Sequence, residues 1–561
     1  MTNSPSAPRP CVTGTLFPLL LAVLGCGKGD TSPTTTIDCD GVAPTTLAAG
    51  AQVIIDPALT QGCLRLPAAG AQGAEHLVVA LSAAGQETPN GVQSDFILQA
   101  TTDTFSVPAL RRPALVQGAS ASAQTAFDLM LRERERVYAR EIGIRRAPSV
   151  RPSVRVPPVV GDQRSFKVCK TATCASFVTV GATAKFVGAH GAIFLDDTVP
   201  AGGYTQTDID SIGALFEQYL YPIDTTAFGR ESDIDGNGVV IALLTDRINA
   251  LSPNCAQTGQ FIAGYFFGLD LLNDPNSNGG EVFYGLVPDP GVPLCFAKDQ
   301  VQRRLGGTFI HEFQHMISYN RHVLLGGGEA EETWLNEGLS HFAEELGGRL
   351  VPDAFCPTTN CLTQYVRDDL SNARDYFNSP ESYALVEAGT SNGSLPERGA
   401  NWLFVRWLAD RSPTDSVLGT DMTRRLNGAG SPGGLTTTGG QNVVAAAALF
   451  QPGISFSTLV GQWHLANFAE SRGGFTEPSG RLGYRSWDLA AAFDALFPAP
   501  TYPLRPDSTD GSDYASGGIL RGGSGVYLRI VQGTSGAAVA LGLDIRNSGA
   551  VQPRYAVVRL R

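Results

Sequence analysis

The feature that most constrains the fold of this chain is HEFQH, residues 311–315, in which two histidines lie four positions apart and a glutamate follows the first. Residues with this spacing lie one above the other on a helix, with Cβ atoms about 5–6 Å apart. His311 and His315 can then bind one metal ion together. Glu312, rotated by about 100° around the helix, faces a water molecule beside the ion. The segment therefore predicts a helix that carries two metal ligands and a general base.

The segment EETWLNEGLSHFAEELGG, residues 331–348, contains the residue needed to complete such a site. We expect a second helix with Thr333 at its N-cap, which places Glu337, His341 and Glu344 along one side. A run of three glycines between the two motifs allows the chain to turn back. Three protein ligands with one open position are typical of a catalytic zinc rather than a structural one. His341 can touch the ion or hold a ligand in place, and an unrelated surface role is the alternative.

The composition is that of a globular chain with several domains. The 561 residues are 43% hydrophobic and 17% charged, which is far from the composition of disordered chains. The net charge of −12 disfavours nucleic acid as a partner, because an acidic surface repels phosphate. Composition leaves the oligomeric state open.

An apolar run, LFPLLLAVLG at residues 16–25, is followed directly by Cys26. This run is too short to span a hydrocarbon core, which needs about 20 residues, so residues 1–25 are predicted to be a signal peptide. The stretch VLGC is similar to a bacterial lipobox, which predicts lipidation of Cys26 and a polar tether over residues 26–36. The protein is then exported from a bacterial cell and attached to the cell envelope by a lipid anchor alone. A plain signal peptide and a secreted product are the alternative.

The cysteines also indicate export. Ten are present, and two of them, Cys11 and Cys26, belong to the signal region. An even number of remaining cysteines in an exported chain predicts a disulfide framework. The C-x4-C spacings differ from the C-x2-C of zinc ribbons, which favours disulfides over metal binding. From proximity we expect sequential pairs: Cys39 with Cys63, Cys169 with Cys174, Cys255 with Cys295, and Cys356 with Cys361.

Changes in sequence pattern divide the chain into the segments of an α+β multidomain protein. Residues 37–118 alternate apolar and polar positions between glycine-rich turns, which predicts a small N-terminal β domain. Residues 119–160 combine a helical pattern with RRAPSVRPSVRVPPVV, which is a solvated linker or, alternatively, a processing site. An α/β segment follows at 161–300, a helical segment at 301–500, and a C-terminal β-strand module at 501–561.

The order HEFQH, WLNEG and FAEE resembles that of the gluzincin metallopeptidases. The hyicolysin-type secreted proteases are the most similar group, and the aminopeptidase N family is more distant. The resemblance is clear over residues 300–410 and fainter over 161–300. It implies a zincin-like peptidase domain, formed by a mixed sheet at 161–300 and a zinc-binding helical half at 301–500.

By that resemblance, His311, His315 and Glu337 match the ligands of Zn²⁺, and Glu312 matches the catalytic base. Glu344 matches an acidic position that we expect to hold a ligand in place. The implied function is an extracytoplasmic zinc-dependent metalloendopeptidase, which hydrolyses peptide bonds of protein or peptide substrates through a zinc-activated water. A cell-surface binding or adhesion lipoprotein with a degenerate peptidase domain is the alternative.

The sequence departs from the aminopeptidase pattern in two ways that bear on specificity and mechanism. No G-x-M-E-N-like segment, which holds a free amino terminus in those enzymes, occurs upstream, and this favours cleavage inside chains. The position of their oxyanion-binding tyrosine corresponds to Pro396 in SLPERGANW. Tyr376, Tyr383 or His464 can take that role, or the metal ion itself can polarise the carbonyl.

The segment ESDIDGNG, residues 231–238, has the oxygen spacing that begins an EF-hand loop, with Asp233, Asp235 and Asn237 at alternate positions. Such a loop needs a bidentate glutamate at position twelve, where this chain has Leu244. A tight turn between a helix and a strand is the competing interpretation, because Asp-Gly and Asn-Gly favour turns. We favour the turn and keep a Ca²⁺ site as the second hypothesis.

Overall fold

The computed structural model describes residues 37–88, 91–102, 122–145, 156–356, 358–386, 393–412, 418–472, 475, 477–497 and 502–561. The predicted signal peptide, the tether with Cys26 and much of the Arg/Pro-rich connector lie outside the described residues. In the described part of the chain, no helix has the length and apolar character needed to cross a bilayer. The architecture is mixed α/β, with several sheets and many helices.

The described residues form fifteen strands in three sheets. In chain order the strands are β1 (Gln52–Ile55), β2 (Cys63–Leu66), β3 (Ala74–Ser82), β4 (Gln93–Thr101), β5 (Gln163–Cys169), β6 (Phe177–Val187), β7 (Gly191–Asp196), β8 (Val240–Leu244), β9 (Gly264–Phe266), β10 (Val282–Gly285), β11 (Asp507–Thr509), β12 (Tyr514–Arg521), β13 (Gly525–Gln532), β14 (Val539–Ile545) and β15 (Pro553–Arg559).

The N-terminal and C-terminal segments together form one β-sandwich. One sheet has the strand order β1-β15-β3-β13-β11 and the other β12-β4-β14-β2, so each mixes strands from both segments. Side chains from both sheets, such as Val78 of β3 and Leu541 of β14, share one hydrophobic core. This corrects the prediction of separate modules at 37–118 and 501–561. An alternating pattern shows which face of a strand is buried, but it does not identify the partner strand.

The sheet of the middle segment has six strands in the order β5-β6-β7-β8-β10-β9. The neighbours β7, β8 and β10 are parallel, and the remaining pairs are antiparallel. β8 has the sequence VIALL and is buried along its whole length, as expected for a strand covered on both faces. The edge strand β9 lies beside the helix that carries HEFQH, because Phe266 of β9 is hydrogen bonded to Glu312.

The described residues also form fifteen α-helices. In chain order these are α1 (Ala123–Arg145), α2 (Gln206–Leu215), α3 (Tyr221–Phe228), α4 (Asp246–Asn249), α5 (Cys255–Thr258), α6 (Pro293–Phe296), α7 (Lys298–Tyr319), α8 (Thr333–Leu350), α9 (Cys361–Asn378), α10 (Leu395–Ala409), α11 (Thr420–Leu426), α12 (Gly439–Ala448), α13 (Phe456–Ala469), α14 (Leu489–Leu496) and α15 (Ser548–Val551).

The HEFQH segment lies within α7, a helix of 22 residues. Phe309 and Phe313, four residues apart, are buried in the main hydrophobic core, so tertiary packing stabilises the helix around the motif. The helix continues into a π-helical turn, Asn320–Leu325, before the glycine run. A Cβ atom at Gly326 would lie 2.0 Å from the carbonyl oxygen of Leu435, so only glycine fits where the chain turns toward α8.

The second predicted helix is α8, which begins at Thr333 with Glu332 at the N-cap position. No side chain at that position makes a capping hydrogen bond. The N–H of Trp334 instead donates to the carboxylate of Glu87, at 3.3 Å. The prediction that Thr333 is the N-cap is therefore wrong by one position, because the group that accepts from this helix end comes from a distant part of the chain.

Four disulfides join the cysteines in the sequential order that proximity predicts. They are Cys39–Cys63, Cys169–Cys174, Cys255–Cys295 and Cys356–Cys361. Two of these bonds close loops of five residues, and the longest spans 40 residues, so each fixes local structure rather than joining distant segments.

Candidate metal centre

Three side chains converge at the point where α7 meets α8. The Nε2 atoms of His311 and His315 are 3.1 Å apart. The carboxylate of Glu337 lies 3.5 Å from His311 Nε2 and 3.6 Å from His315 Nε2. Ligand atoms about 2.0–2.1 Å from a tetrahedral zinc ion are roughly 3.4 Å from one another. The three groups therefore have the mutual spacing that a zinc ion requires.

One oxygen of the Glu337 carboxylate is placed where a bound cation would stabilise it. The side chain is 1% exposed, and its Oε1 atom has no hydrogen-bond partner among the described residues. A buried carboxylate oxygen without a partner is costly. Its other oxygen, Oε2, lies 3.2 Å from the guanidinium of Arg398 on α10. Oε1 lies 3.6 Å from His315 Nε2, so a metal ion bound between these groups would satisfy it.

Neighbouring side chains hold both imidazoles in the orientation that directs Nε2 toward the shared point. His311 Nδ1 is 2.8 Å from Glu344 Oε1. His315 Nδ1 is 3.2 Å from Asn336 Oδ1 and 3.1 Å from Ser340 Oγ. Contacts of this kind set the tautomer and angle of metal-binding histidines. Glu344 thus lies where the sequence analysis expects it, whereas Asn336 and Ser340 were not predicted.

His341 lies beside the three converging groups rather than among them. Its Nδ1 atom is 2.8 Å from Asp369 and 3.0 Å from Glu344. Burial disfavours the His341 cation, but the two carboxylates outweigh burial and raise its pKa to about 9. His311, His341 and Glu344 are also close enough to share an ion. We favour the set with Glu337, because Glu344 already contacts both histidines while Glu337 Oε1 has no partner.

Glu312 faces the edge strand β9 rather than the point between the imidazoles. Its Oε2 accepts a hydrogen bond from the N–H of Phe266, at 2.7 Å. The side chain is buried, and burial raises its pKa to about 8. Glu312 is therefore held beside the three-ligand group by a bond to backbone, with an elevated proton affinity, as a group that exchanges protons near neutral pH requires.

The chain is similar to a neutral metalloprotease. The relative is the "Neutral metalloprotease ShpI" of Staphylococcus hyicus, which is 25% identical over 259 residues. The aligned region is 45% of this chain and 52% of the relative, so the chain spans about half the length of the curated relative it matches. No protein-family model matches the sequence. The similarity supports a relation to metallopeptidases over the aligned region.

Helix α1 lies in the segment 119–160, where the sequence analysis expects a helical pattern before the Arg/Pro-rich run, and it packs against the candidate metal centre. Arg132 donates to the carbonyl of Phe266 at 2.8 Å, and Glu135 accepts from the N–H of Gly268 at 2.6 Å. Arg132 and Glu135 also pair with each other at 3.0 Å, and both are buried. The charged face of this helix therefore points partly into the protein.

The first turn of α1 contacts the same edge strand. The side-chain amide of Gln124 accepts from the N–H of Ala263 at 2.7 Å and donates to the carbonyl of Gly264 at 3.0 Å. It also donates to Asp128 at 2.7 Å. Polar residues at spacings of three and four lie on one face of α1, and this pattern could have indicated a contact with the protein. The same pattern is equally typical of a solvated face.

A cavity of about 740 Å³ opens onto the metal centre. The elements around it are the first two turns of α1, the segment before β9, and helices α6 to α10. The side chains at its base include Gln124, Asp128, His311, Glu312, Glu337, His341, Glu344, Asp369 and Arg398. A cavity of this size, with converging polar groups, is typical of a substrate site.

The three residues suggested for the oxyanion role lie elsewhere. Tyr376 is fully buried and stacks on Trp463 with ring centroids 5.7 Å apart. Tyr383 packs against the main hydrophobic core. His464 is held by Tyr527, at 2.7 Å, and by the carbonyl of Gly523, at 3.0 Å. Among the described residues that line the cavity, none of the three appears.

The second predicted metal group is only partly as expected. Asp233 and Asp235 lie in the turn before β8, close to Glu281 at the start of β10. Asn237 does not join them: its Oδ1 accepts from the N–H of Val239 at 2.7 Å, and its Nδ2 donates to Asp235 at 2.9 Å. Asn237 therefore organises the turn, while Glu281 was not foreseen.

Proposed function

We propose that this chain is a zinc-dependent metalloendopeptidase of gluzincin type. The observation that carries the proposal is the convergence of His311, His315 and Glu337, with Glu337 Oε1 unpartnered among the described residues and Glu312 one position along α7. These three side chains would hold a zinc ion, which when bound would supply polarisation of the scissile carbonyl and a lowered pKa, toward 7, for a bound water. The similarity to a neutral metalloprotease supports the same reaction class.

The protein side chains have separate roles in this mechanism. Glu312 accepts a proton from the attacking water and delivers it to the leaving amine nitrogen. Its bond to Phe266 N–H fixes the carboxylate, so that only small movements are needed to reach the substrate. Glu344 and Asn336 keep the imidazoles oriented. Arg398 pairs with Oε2 of Glu337 and holds that carboxylate in place.

We assign cleavage inside chains rather than at amino termini. Helices α1 and α6 to α10 line the cavity, whose volume of about 740 Å³ leaves room for residues on both sides of a scissile bond. No segment of the sequence resembles the amino-terminus binding motif of aminopeptidases. An exopeptidase would be revealed if peptides with a free amino terminus are hydrolysed and their N-acetylated forms are not.

We also propose export and anchoring through a lipidated Cys26. The support is the apolar run at 16–25, the VLGC segment and the four disulfides, which form in oxidising compartments. Metabolic labelling with a palmitate analogue is expected to mark the full-length protein in bacteria and not the Cys26→Ala variant. Equal labelling of the two would show that Cys26 is not the anchor.

The deciding experiment combines metal analysis with hydrolysis of an unfolded protein. The purified chain is expected to contain one zinc per molecule and to degrade unfolded casein, with activity lost on chelation and restored by zinc. Glu312→Gln keeps an oxygen that can accept from Phe266 N–H, so we expect it to retain zinc and to lose about 10²–10⁴-fold in kcat.

Asp299→Asn is the matched control for this variant. It makes the same loss of charge on the same helix, at an exposed position that pairs with Arg303, and we expect full activity. Full activity of Glu312→Gln would remove the mechanism. A folded chain that binds zinc but cleaves no peptide would favour the alternative, a cell-surface binding lipoprotein with a degenerate peptidase domain.

A further inference from the structure

A second group of acidic side chains lies outside the metal centre. Asp233, Asp235 and Glu281 each offer a carboxylate oxygen, and these atoms all lie within 4.8 Å of one another. Two oxygens bound to the same Ca²⁺ ion, at 2.3–2.6 Å each, can be at most about 5 Å apart. The three oxygens therefore fit around a single ion. None of these residues lines the cavity at the metal centre.

Glu281 provides evidence that this group is more than a cluster of surface acids. Its side chain is 1% exposed. One oxygen, Oε1, accepts from Ser232 Oγ at 2.5 Å and from Ile234 N–H at 3.0 Å. The other, Oε2, is buried and has no hydrogen-bond partner among the described residues.

The position of Glu281 also compensates for the glutamate that the loop lacks at position twelve. The residue that an EF-hand requires to be glutamate is Leu244, which is buried in β8. β10 is the parallel neighbour of β8, with Val282 opposite Ile241. Glu281 therefore arrives beside the turn from the adjacent strand. In an EF-hand this carboxylate comes from the loop itself, whereas here Glu281 supplies it from the strand next to β8.

The donor chemistry selects the type of ion. All three donors are carboxylate oxygens, which bind hard cations such as Ca²⁺ and Mg²⁺ rather than zinc or copper. The guanidinium of Arg164 approaches the same region, because a Cβ atom on Gly280 would lie 2.7 Å from Asp235 and 3.9 Å from Arg164. Three carboxylates and one guanidinium leave two negative charges, which a divalent cation balances. Ca²⁺ tolerates irregular ligand sets, whereas Mg²⁺ demands near-octahedral geometry.

We propose that Asp233, Asp235 and Glu281 form a calcium site that ties the turn before β8 to the start of β10. Asn237 has a positioning role, since its amide holds Asp235. The site would stabilise the part of the sheet next to the metal centre, because β10 pairs with β9 and Phe266 of β9 holds Glu312. The proposal does not rest on peptidase activity.

Calcium binding can be measured directly on the purified full-length chain. After treatment of the buffer with a chelating resin, equilibrium dialysis with ⁴⁵CaCl₂ is expected to give one bound Ca²⁺ per chain. CaCl₂ is expected to raise the Tm by more than MgCl₂ does, since binding to the folded state alone stabilises it. Elemental analysis follows zinc throughout, so that changes in the first metal centre are not mistaken for calcium binding.

Two variants and one control locate the site. Asp233→Asn removes a charge at an exposed side chain and keeps an oxygen for the N–H of Gly238, which donates to Asp233 at 3.2 Å. Glu281→Gln removes the buried charge. Each is expected to weaken calcium binding by about tenfold or more, because ligand charge sets affinity in such sites. Asp510→Asn is the control, since Asp510 precedes a glycine in another exposed turn and should leave binding unchanged.

Asp233→Asn keeps the proposal testable even if Glu281→Gln fails to fold. The proposal is overturned if the native chain binds no calcium, if MgCl₂ raises the Tm as much as CaCl₂ does, or if Asp233→Asn binds calcium as tightly as the native chain. A loss of calcium binding in Asp233→Asn with unchanged zinc content supports it.

Discussion

The contact between Gln124 and the edge strand β9 leads to a prediction about substrate access. An extended peptide binds to the edge of a sheet by adding a strand, through hydrogen bonds to free backbone N–H and C=O groups. β9 is an edge strand next to Glu312. Gln124 already bonds the N–H of Ala263 and the carbonyl of Gly264. An incoming peptide must therefore displace this side chain before it can pair along the strand.

The magnitude follows from these two bonds. Each contributes about 0.5–1.5 kcal/mol net, so displacing Gln124 costs roughly 2 kcal/mol, which corresponds to about a 30-fold change in an equilibrium constant. Gln124→Ala removes the competition at Ala263 and Gly264 and leaves the metal ligands untouched, while Phe266 keeps its contacts with Arg132 and Glu312. We expect the variant to bind an extended peptide up to about 30-fold more tightly than the parent chain.

The assay measures binding without turnover. A fluorescently labelled peptide is titrated against Glu312→Gln and against Glu312→Gln combined with Gln124→Ala, and Kd is read from anisotropy. Arg140→Ala in the Glu312→Gln chain is the control, because it removes an exposed contact of α1 with Glu329 and leaves the contacts with β9 unchanged. An unchanged or higher Kd for the Gln124 variant would refute the idea that substrate pairs with this edge.

Two further predictions concern the imidazoles. Glu344→Gln is expected to lower zinc affinity by about 10–100-fold, because it weakens the contact with His311 Nδ1 at 2.8 Å; competition with a chromophoric chelator measures this loss, and unchanged affinity would contradict it. The second concerns His464, whose pKa burial lowers from 6.5 to about 4. The folded state keeps it neutral while the unfolded state binds a proton, so its contribution to stability is complete above pH 6.5 and decreases as the pH falls toward 4. Between roughly pH 7.5 and pH 5, the free energy of unfolding of His464→Gln is expected to fall by about 2 kcal/mol less than that of the native chain. Urea unfolding at both pH values measures this difference, and an equal fall in the two proteins would contradict the prediction.

The parts of the site that depend on local spacing were predictable from the sequence. His311, Glu312 and His315 lie on one helix, and the helical repeat alone relates their directions. Glu337 lies on the next helix, after the glycine turn, so a short hairpin of two helices places it beside the two histidines. The contact of Glu344 with His311 depends on the same pair of helices.

The contacts that the sequence could not predict join residues that are far apart in the chain. Arg132 bonds a carbonyl 134 positions later, and nothing in the pattern of α1 identifies Phe266 as its partner. Glu281 reaches the Asp233 turn only because β8 and β10 are neighbours in the sheet. The three oxyanion candidates do not line the cavity, and the sequence could not show this, since distance from Pro396 in sequence does not measure distance from the candidate metal centre.

The β-sandwich determines what cleavage of the Arg/Pro-rich connector can do. β3 lies between β15 and β13 in the centre of its sheet and is buried along all nine residues. Cleavage between α1 and β5 would therefore leave the N-terminal part held by six antiparallel strand pairs and by the contacts of α1 with β9. We expect limited trypsin treatment to give two fragments that elute together from a sizing column and separate only in denaturant. Separation under native conditions would mean that the N-terminal part is a detachable propeptide, and that the pairing of β3 contributes less to stability than its burial implies.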